Sequence, residues 1–224
     1  MSEPGRRLGI LGGTFDPIHC GHIAAAVSAR DAFELPRVLV LPSRIPPHRP
    51  VQPLASSFHR FAMAALAVTG VDRFEASEDE LRGEGPSYTA DTLQRQHERG
   101  VEPSRIFFIT GADAFAEIDT WKRYPDVLDF ANFVVVARPG HAIGALASRL
   151  PSLANRMRTA DRHREPCAMP MIYLLEAPTP DVSSTAVRAR LARGESISGL
   201  VPPLVESHIY QHSLYRALQL HGQN

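Results

Sequence analysis

Short, continuous apolar runs alternate with helix-like segments along this chain of 224 residues. Runs without polar interruption are typical of strands that are buried on both faces, as strands are in a parallel sheet. A weaker run at 71–76 has apolar residues only at alternating positions. The strong runs occupy 7–11, 38–41, 105–110, 133–137 and 171–175.

Helix-like patterns fill the intervals between these strands. The predicted helices occupy 21–33, 57–68, 89–99, 183–193, 203–212 and 213–220. Alternating strands and helices form right-handed β-α-β units. The sequence therefore predicts an α/β fold: a Rossmann-like, doubly wound, mainly parallel sheet with helices on both faces and a small C-terminal helical region. No change in composition divides the chain, so we expect one domain over 1–224, with its core at about 7–193 and the C-terminal region at about 194–224.

The chain has only one lysine, Lys122; its other 23 basic Lys and Arg residues are arginines. A P-loop needs a lysine after its second glycine, and no such motif is present. A Schiff-base enzyme would have Lys122 as its only candidate. Basic and acidic residues balance at 24 each, and this argues against a partner that is nucleic acid or a membrane surface.

Two cysteines, Cys20 and Cys167, are too few for a disulfide framework or a metal cluster. The beginning of the chain lacks the apolar stretch of a signal peptide, and no run reaches the ~18 residues of a membrane span. We therefore expect a soluble, cytoplasmic protein. Cys20 begins a predicted helix, which could lower the pKa of its thiol and make it oxidisable. The arginine-rich segment 149–164 is interpreted as a solvated helix or loop face, with a binding role as the alternative.

The most informative stretch is GGTFDPIHCGH, from Gly12 to His22, directly after the first predicted strand. In a doubly wound sheet, ligands bind beyond the carboxyl ends of the strands. The glycine pair lets the backbone approach a phosphate, and the free N–H groups that begin the next helix form an anion site. His19 and His22, three residues apart, share a face of the first helical turn and can donate to phosphate oxygens.

Each part of this stretch also has a simpler interpretation. A glycine pair after a strand is often only a turn, and Asp16 before a proline can be an ordinary turn residue. His19 and His22 could bind zinc, but the sequence offers no third ligand at the usual spacing. The dinucleotide motif GxGxxG is absent, because Gly12 and Gly13 are followed by Thr14 and Phe15.

Two later segments carry similar chemistry. Ser184 and Thr185 begin a predicted helix and Arg188 follows about one turn later, which favours either a second phosphate cradle or an N-capped surface helix. Trp121 is the only tryptophan and has polar neighbours, which favours a ligand platform over a place in the core.

The first stretch resembles the GGTFDPxHxGH signature of the nucleotidyltransferases with an HxGH motif. Within that superfamily, four later segments are similar in order and spacing to the nicotinate-nucleotide adenylyltransferases. These segments are PPHR at 46–49, PSYTADTL at 86–93, GAD at 111–113 followed by Trp121, and VSSTAVR at 182–188. The resemblance runs from about Leu8 to Tyr215.

The resemblance implies that the adenylyl group of ATP is transferred to nicotinate mononucleotide, giving nicotinate adenine dinucleotide and pyrophosphate in NAD biosynthesis. Such a displacement needs no protein nucleophile, only positioning and charge stabilisation. Mg²⁺ is the implied cofactor, bridging the leaving phosphates, and no metal-ligating residues are expected. The sequence leaves the oligomeric state open, a homodimer included.

The resemblance also assigns roles to residues, and His22 is implied to stabilise charge at the α-phosphate. The implied catalytic residues are His19, His22 and Arg188. The residues implied to bind ATP are Gly12, Gly13, Thr14, Phe15, Asp113, Ser184 and Thr185. The residues implied to bind nicotinate mononucleotide are His48, Arg49, Tyr88, Thr89 and Trp121.

Substrate choice is implied to depend on an aromatic platform and on matched donors. The pyridine ring would stack on Trp121, Thr89 would receive the carboxylate, and Arg49 would contact the phosphate. On its own, the loop with His48 and Arg49 could be an exposed basic turn. Nicotinamide would leave donors mismatched, at a cost of about 1–3 kcal/mol per group. Lys122 departs from the family, in which several members have an aromatic residue there.

Two other functions are weighed against this one. The first is a sibling adenylyltransferase that uses nicotinamide mononucleotide or another phosphate acceptor, such as phosphopantetheine. A phosphopantetheine enzyme is expected to lack the combination of PPHR, SYT and Trp121. The second is a non-catalytic nucleotide sensor, which would have no need to keep His19, His22 and Arg188 together.

Overall fold

A computed structural model describes residues 7–47, 52–137, 146–160 and 169–215. The strands of this part are β1 (Leu8–Gly13), β2 (Val38–Pro42), β3 (Phe74–Ala76), β4 (Ile106–Gly111), β5 (Asn132–Val136), β6 (Met157–Thr159) and β7 (Ile172–Leu175). They form one sheet in the order β3-β2-β1-β4-β5-β7-β6, and every neighbouring pair is parallel. The predicted α/β fold with a parallel sheet is therefore confirmed.

Helices cover both faces of this sheet, as the alternating pattern predicted. They are α1 (Cys20–Ala32), α2 (Ser57–Val68), α3 (Thr89–Glu98), α4 (Ala112–Phe115), α5 (Leu146–Arg149), α6 (Ser184–Ala192) and α7 (Pro203–Gln211). The bounds predicted for α2 agree with the structure, and those for α1, α3, α6 and α7 agree within one residue at each end. The predicted helix 213–220 falls mostly outside the described residues. No helix in the described ranges combines the length and apolar character that a membrane crossing requires.

The core lies in two layers, because successive side chains of a strand point to opposite faces. In β1, Leu11 packs in the layer that contains Ala26 of α1 and Val187 of α6. Its neighbour Ile10 packs in the other layer, with Leu93 of α3. The C-terminal helix α7 belongs to the first layer, so its apolar face shares a core with the sheet.

The order of the strands reverses at β1, which pairs with β2 on one side and with β4 on the other. Chain connections that leave β1 and β4 therefore turn to opposite faces of the sheet. In open α/β sheets, such a reversal leaves a crevice beyond the carboxyl ends of the strands. The first motif begins at the carboxyl end of β1, and so it enters this crevice.

Two parts of the sequence interpretation need correction. The segment 149–164 is not wholly a solvated helix or loop face, since Met157–Thr159 forms the edge strand β6 against β7. The sequence signal was weak because only Met157 of that strand is buried. The predicted strand 71–76 is shorter, Phe74–Ala76, because residues 71–73 form a turn before it.

A buried amide joins β5 to the chain on either side of it. Asn132 is fully buried, and its Nδ2 donates to the carbonyl oxygens of Ser104, at 2.8 Å, and Ile106, at 3.2 Å. Its Oδ1 accepts from the N–H of Met171 at 3.0 Å. One side chain of β5 thus satisfies three backbone groups at the starts of its two neighbouring strands, β4 and β7.

Replacing Asn132 by alanine is expected to lower the free energy of unfolding by about 2–4 kcal/mol, because buried backbone groups lose their partners. Urea unfolding followed by circular dichroism measures this loss. Asn155→Ala, at an exposed position, serves as the control and should change stability by less than about 0.5 kcal/mol. Equal effects of the two substitutions would contradict this role for Asn132.

Candidate active site

A cleft of about 440 Å³ opens beyond the carboxyl ends of β1 and β4. Two groups of lining residues matter for its chemistry. We call the first the histidine set; it consists of 12–15, His19, His22 and 183–185. We call the second the aromatic set; it consists of Pro46, Pro47, Tyr88, Thr89 and Trp121.

The turn at 12–15 is shaped by Gly13 and Phe15. A Cβ atom at Gly13 would lie 2.7 Å from Cε1 of Phe15, closer than two such atoms can approach. Phe15 is buried and has a left-handed backbone, with φ of 53°. Its ring meets the ring of His22 edge to face, at a centroid distance of 5.1 Å. The absence of a side chain at residue 13 thus lets the Phe15 ring pack against the ring of His22.

Carbonyl oxygens of this turn are held by donors from other elements. The N–H of Ser43 donates to the oxygen of Gly13 at 2.9 Å, and Nη1 of Arg60 donates to the oxygen of Thr14 at 2.7 Å. A carbonyl oxygen repels a phosphate, so donors that occupy these oxygens make the turn more favourable for an anion.

The next carbonyls of the motif are held in the same way by α6. Nη1 of Arg188 donates to the backbone oxygen of Asp16 at 2.6 Å, and Oγ of Ser184 donates to the oxygen of Pro17 at 2.9 Å. Residues 184 and 188 therefore fasten the start of α6 to the first motif, although more than 160 residues separate them in sequence.

The two histidines of the motif form a reciprocal cap at the start of α1. The N–H of His22 donates to Nδ1 of His19 at 3.3 Å, and the N–H of His19 donates to Nδ1 of His22 at 3.2 Å. The two rings stack with a centroid distance of 3.6 Å and an angle of 22° between their planes. The three-residue spacing of the motif is the spacing that such a cap requires.

This cap fixes the tautomer of both imidazoles. A neutral imidazole carries one proton, and a ring nitrogen that accepts a hydrogen bond cannot carry it. Since Nδ1 is the acceptor in both His19 and His22, the proton of each neutral ring belongs on Nε2. Both rings therefore present the Nε2–H form, which suits donation to an anionic oxygen.

The start of α6 places three hydroxyl residues at the cleft. Ser183 is the N-cap, and its side chain accepts from the N–H of Ala186 at 3.1 Å. Ser184 and Thr185 line the cleft, as does Ser183. Arg188 is not part of the lining; besides Asp16 it contacts Oγ1 of Thr185 at 3.2 Å. Its guanidinium therefore joins the hydroxyl of Thr185 to the backbone of Asp16.

Asp16 is a structural centre that sequence reasoning treated as an ordinary turn residue. Its carboxylate is buried and accepts from the N–H groups of Leu54 and Ala55, both at 3.0 Å. Its Oδ1 also accepts from the hydroxyl of Tyr215 at 2.9 Å. Burial, and then the charge of Asp16, raise the pKa of Tyr215 well above its usual value, so this hydroxyl remains a donor.

The aromatic set presents Trp121 at the cleft with support from the core behind it. The Trp121 ring meets Phe108 and Phe133 edge to face, at centroid distances of 6.1 and 6.2 Å. Tyr88 is the N-cap residue of α3, and Thr89 is the first residue of that helix. An aromatic face thus lines the cleft together with a helix N-terminus, where N–H groups favour an anion.

Lys122, the departure from the family pattern, is also part of this wall. Its ammonium lies 4.6 Å from the centroid of the Tyr88 ring and pairs with the carboxylate of Asp91 at 2.8 Å. The lysine therefore spans Tyr88 and α3, and it adds a positive charge to the lining.

The cleft is also lined by Glu80 and Ser43, to which the sequence interpretation gave no role. Glu80 is buried and accepts from Oγ1 of Thr92 at 2.7 Å. Burial raises the pKa of its carboxyl, while hydrogen bonds from Thr92 and Ser87 act in the opposite direction. The hydroxyl of Ser43 is buried and has no hydrogen-bond partner among the described residues, so the cleft contains a polar atom that a ligand could satisfy.

The remaining sequence predictions have different outcomes. Asp113, in the short helix α4, lines the cleft. His48 and Arg49 lie outside the described residues. The expectation that the helix N-terminus lowers the pKa of Cys20 is wrong, because burial raises it.

Comparison with known proteins places this geometry in a family. Residues 10–190 match the family model described as cytidylyltransferase-like. A relative from Roseiflexus, named "Probable nicotinate-nucleotide adenylyltransferase", is 42% identical, and the match covers 93% of this chain and 98% of the relative. One of the same name from Moorella thermoacetica is 40% identical, over 96% of this chain and 94% of the relative.

Solved structures agree at the level of the fold. Nicotinic acid mononucleotide adenylyltransferase of Plasmodium falciparum, complexed with APC, has a TM-score of 0.69 at 19% identity and covers 94% of this chain and 97% of that one. The same enzyme complexed with NaAD has a TM-score of 0.70 at 18% identity, with the same coverage. From its similarity to the curated relatives over more than nine-tenths of its length, the chain belongs to the family of nicotinate-nucleotide adenylyltransferases, within the cytidylyltransferase-like proteins.

Proposed function

We propose that this protein transfers the adenylyl group of ATP to nicotinate mononucleotide, releasing pyrophosphate and nicotinate adenine dinucleotide, as a step of NAD biosynthesis. The observation that carries the proposal is the joint lining of one cleft by the histidine set and the aromatic set. The first offers donors to phosphate oxygens and the second offers a flat face to a pyridine ring. The names of the curated relatives support the same activity.

In the proposed reaction, a phosphate oxygen of nicotinate mononucleotide attacks the α-phosphorus of ATP. A new phosphorus–oxygen bond forms, the bond to the bridging oxygen of the β-phosphate breaks, and pyrophosphate leaves with that electron pair. The attacking oxygen is already anionic, so no protein base is required. The protein contributes alignment and stabilisation of charge on the transferring group.

Within this reaction, we propose that Nε2–H of His22 donates to the α-phosphate, and that His19, the hydroxyl of Thr185 and the backbone N–H of Ser184 bind the phosphates of ATP. Arg188 donates to the Thr185 hydroxyl, and its charge adds to the attraction of the site for anions. The backbone of Gly12 to Phe15 completes the cradle, and Asp113 is proposed to bond the adenosine.

For the mononucleotide, we propose that the pyridine ring stacks on Trp121 and that Thr89 and the N-terminus of α3 receive the carboxylate. Lys122, which pairs with Asp91, lies beside the Tyr88 ring in the same wall. Tyr88 lines the same region, and the unpartnered hydroxyl of Ser43 is a further proposed contact. Nicotinamide, which is neutral and presents N–H donors, would lose these interactions.

The proposal includes Mg²⁺ as the companion of ATP. A hard cation of this kind binds substrate phosphates with few protein ligands, and when bound it neutralises charge on the leaving pyrophosphate. The expected cytoplasmic location stays a prediction, and the oligomeric state stays open, a homodimer included.

The direct test is an assay of pyrophosphate release from ATP and Mg²⁺ with either nicotinate or nicotinamide mononucleotide. We expect turnover with nicotinate mononucleotide and a higher kcat/KM for it. Turnover with neither would overturn the proposed function, whereas a preference for nicotinamide mononucleotide would overturn the substrate assignment and favour a sibling enzyme. Binding of ATP without any turnover would favour the sensor.

His22→Ala is expected to lower kcat by about 10²–10³, the effect of losing one donor to the developing charge. Steady-state kinetics with saturating ATP and nicotinate mononucleotide measure it. His212→Ala, which removes an exposed imidazole, is the matched control and should leave kcat unchanged. If kcat of His22→Ala falls less than about threefold, the donor to the α-phosphate must be another residue.

Trp121→Ala is expected to raise the KM for nicotinate mononucleotide about tenfold or more, since loss of aromatic stacking costs about 0.5–1.5 kcal/mol beyond the lost contact area. The KM for ATP should change far less. Trp121→Phe keeps an aromatic face and should restore most of the affinity. A larger effect on the KM for ATP than on the KM for nicotinate mononucleotide would indicate that Trp121 contacts ATP instead.

A further inference from the structure

Arg60 of α2 is 1% exposed and is the largest fully buried side chain of the described residues. Its guanidinium donates to three backbone carbonyl oxygens. Nη1 reaches Thr14 at 2.7 Å, Nη2 reaches Arg44 at 2.9 Å, and Nε reaches Ala55 at 3.2 Å. Arginine is almost never fully buried without such partners, because removing its charge from water is costly.

The three carbonyls belong to loops that build the cleft. Thr14 is in the turn of the histidine set. Arg44 is in the loop after β2, two residues before Pro46 of the aromatic set. Ala55 precedes α2, and its N–H donates to the buried carboxylate of Asp16. The planar guanidinium therefore joins the turn of one lining set to a loop of the other through a single rigid group.

The apolar packing of α2 alone gives no reason for an arginine at this place. Met63, Ala64 and Ala67 occupy the same buried face of α2 and pack in the apolar core. An apolar side chain at residue 60 would continue that face at no desolvation cost. The arginine instead serves the carbonyls of three loops, and each of these loops either lines the cleft or contacts a residue that supports it.

We propose that Arg60 is a positioning residue for adenylyl transfer: it fixes the spacing between the turn at 12–15 and the loop after β2. This inference rests on the proposed function, in which those two elements hold different substrates. Displacement of reacting groups by about 1 Å can slow a reaction about 10²-fold even when binding is kept. Arg60 contacts neither substrate; it acts through the loops that do.

The spacing role makes a specific prediction for Arg60→Lys, which keeps the charge but offers one compact donor group instead of a planar guanidinium. We expect kcat to fall about 10- to 100-fold. The dissociation constants of ATP and of nicotinate mononucleotide, each measured alone by calorimetry, should change less than about threefold. Each substrate binds within its own set, so the loss appears only when both must align.

The dinucleotide product provides a readout that does not depend on catalysis. Nicotinate adenine dinucleotide contacts both sets at once and gains affinity from their fixed spacing. Its dissociation constant should therefore rise about tenfold or more in Arg60→Lys, unlike those of the separate substrates. A role confined to stability would lower the melting temperature without producing this difference.

Arg156→Met is the matched control. Arg156 also donates to two carbonyl oxygens, of Leu128 at 2.7 Å and Pro170 at 3.0 Å, but it lies away from the cleft. Its loss should lower the melting temperature while kcat and product affinity stay within about twofold. All variants are assayed at one temperature, well below the lowest of their melting temperatures, so that every protein is folded and the constants are directly comparable.

The outcomes separate the two claims. Lack of turnover in the wild-type protein would overturn the proposed function and the inference with it. An active wild type whose Arg60→Lys variant keeps kcat and product affinity within about twofold would overturn the inference alone. The same conclusion follows if Arg60→Lys does not fold, or if it weakens the separate substrates as much as the product, because Arg60 would then be a general structural residue.

Discussion

The pairing of β1 with β2 on one side and β4 on the other is the constraint on which the candidate site depends. All the strands run parallel, so the carboxyl ends of β1, β2 and β4 reach the same edge of the sheet. The loops that follow them are the turn of the first motif, the loop at 43–47 and α4. Because the connections leave toward opposite faces, the edge between β1 and β4 stays open, and these loops become the walls of one cleft.

Hydrogen bonds from distant parts of the chain make the first of these walls suitable for an anion. Asp16 and Arg60 are both buried, and each is satisfied by backbone groups of loops around the cleft. Tyr215 extends this network to the C-terminal region, so α7 and the residues after it support the site as well as the core. Both charged groups order the backbone that faces the ligand.

The sequence was informative wherever a residue's role depends on its near neighbours. The apolar runs located six of the strands, the helical periods located five helices, and the spacing of His19 and His22 indicated a shared face. The edge strand β6 was missed because its outer residues are exposed. Asp16, Arg60 and Tyr215 were missed because each has a partner at least 38 residues away in sequence. A usable signal existed only for Arg60, which falls on the apolar face of α2 with Met63 and Ala67.

The HxGH motif itself can now be explained in physical terms. The first histidine is the N-cap of α1 and the second is the third residue of the helix, so each can accept the backbone N–H of the other. Of the two residues between them, Gly21 is the crowded one, because a Cβ there would lie 3.1 Å from Nδ1 of His19 and 3.2 Å from Cγ1 of Val182, both tighter than ordinary contact. The absent side chain thus allows the histidine cap and the approach of the α6 segment at once. A side chain at 21 would therefore require the His19 ring or the Val182 side chain to shift, even with both imidazoles intact.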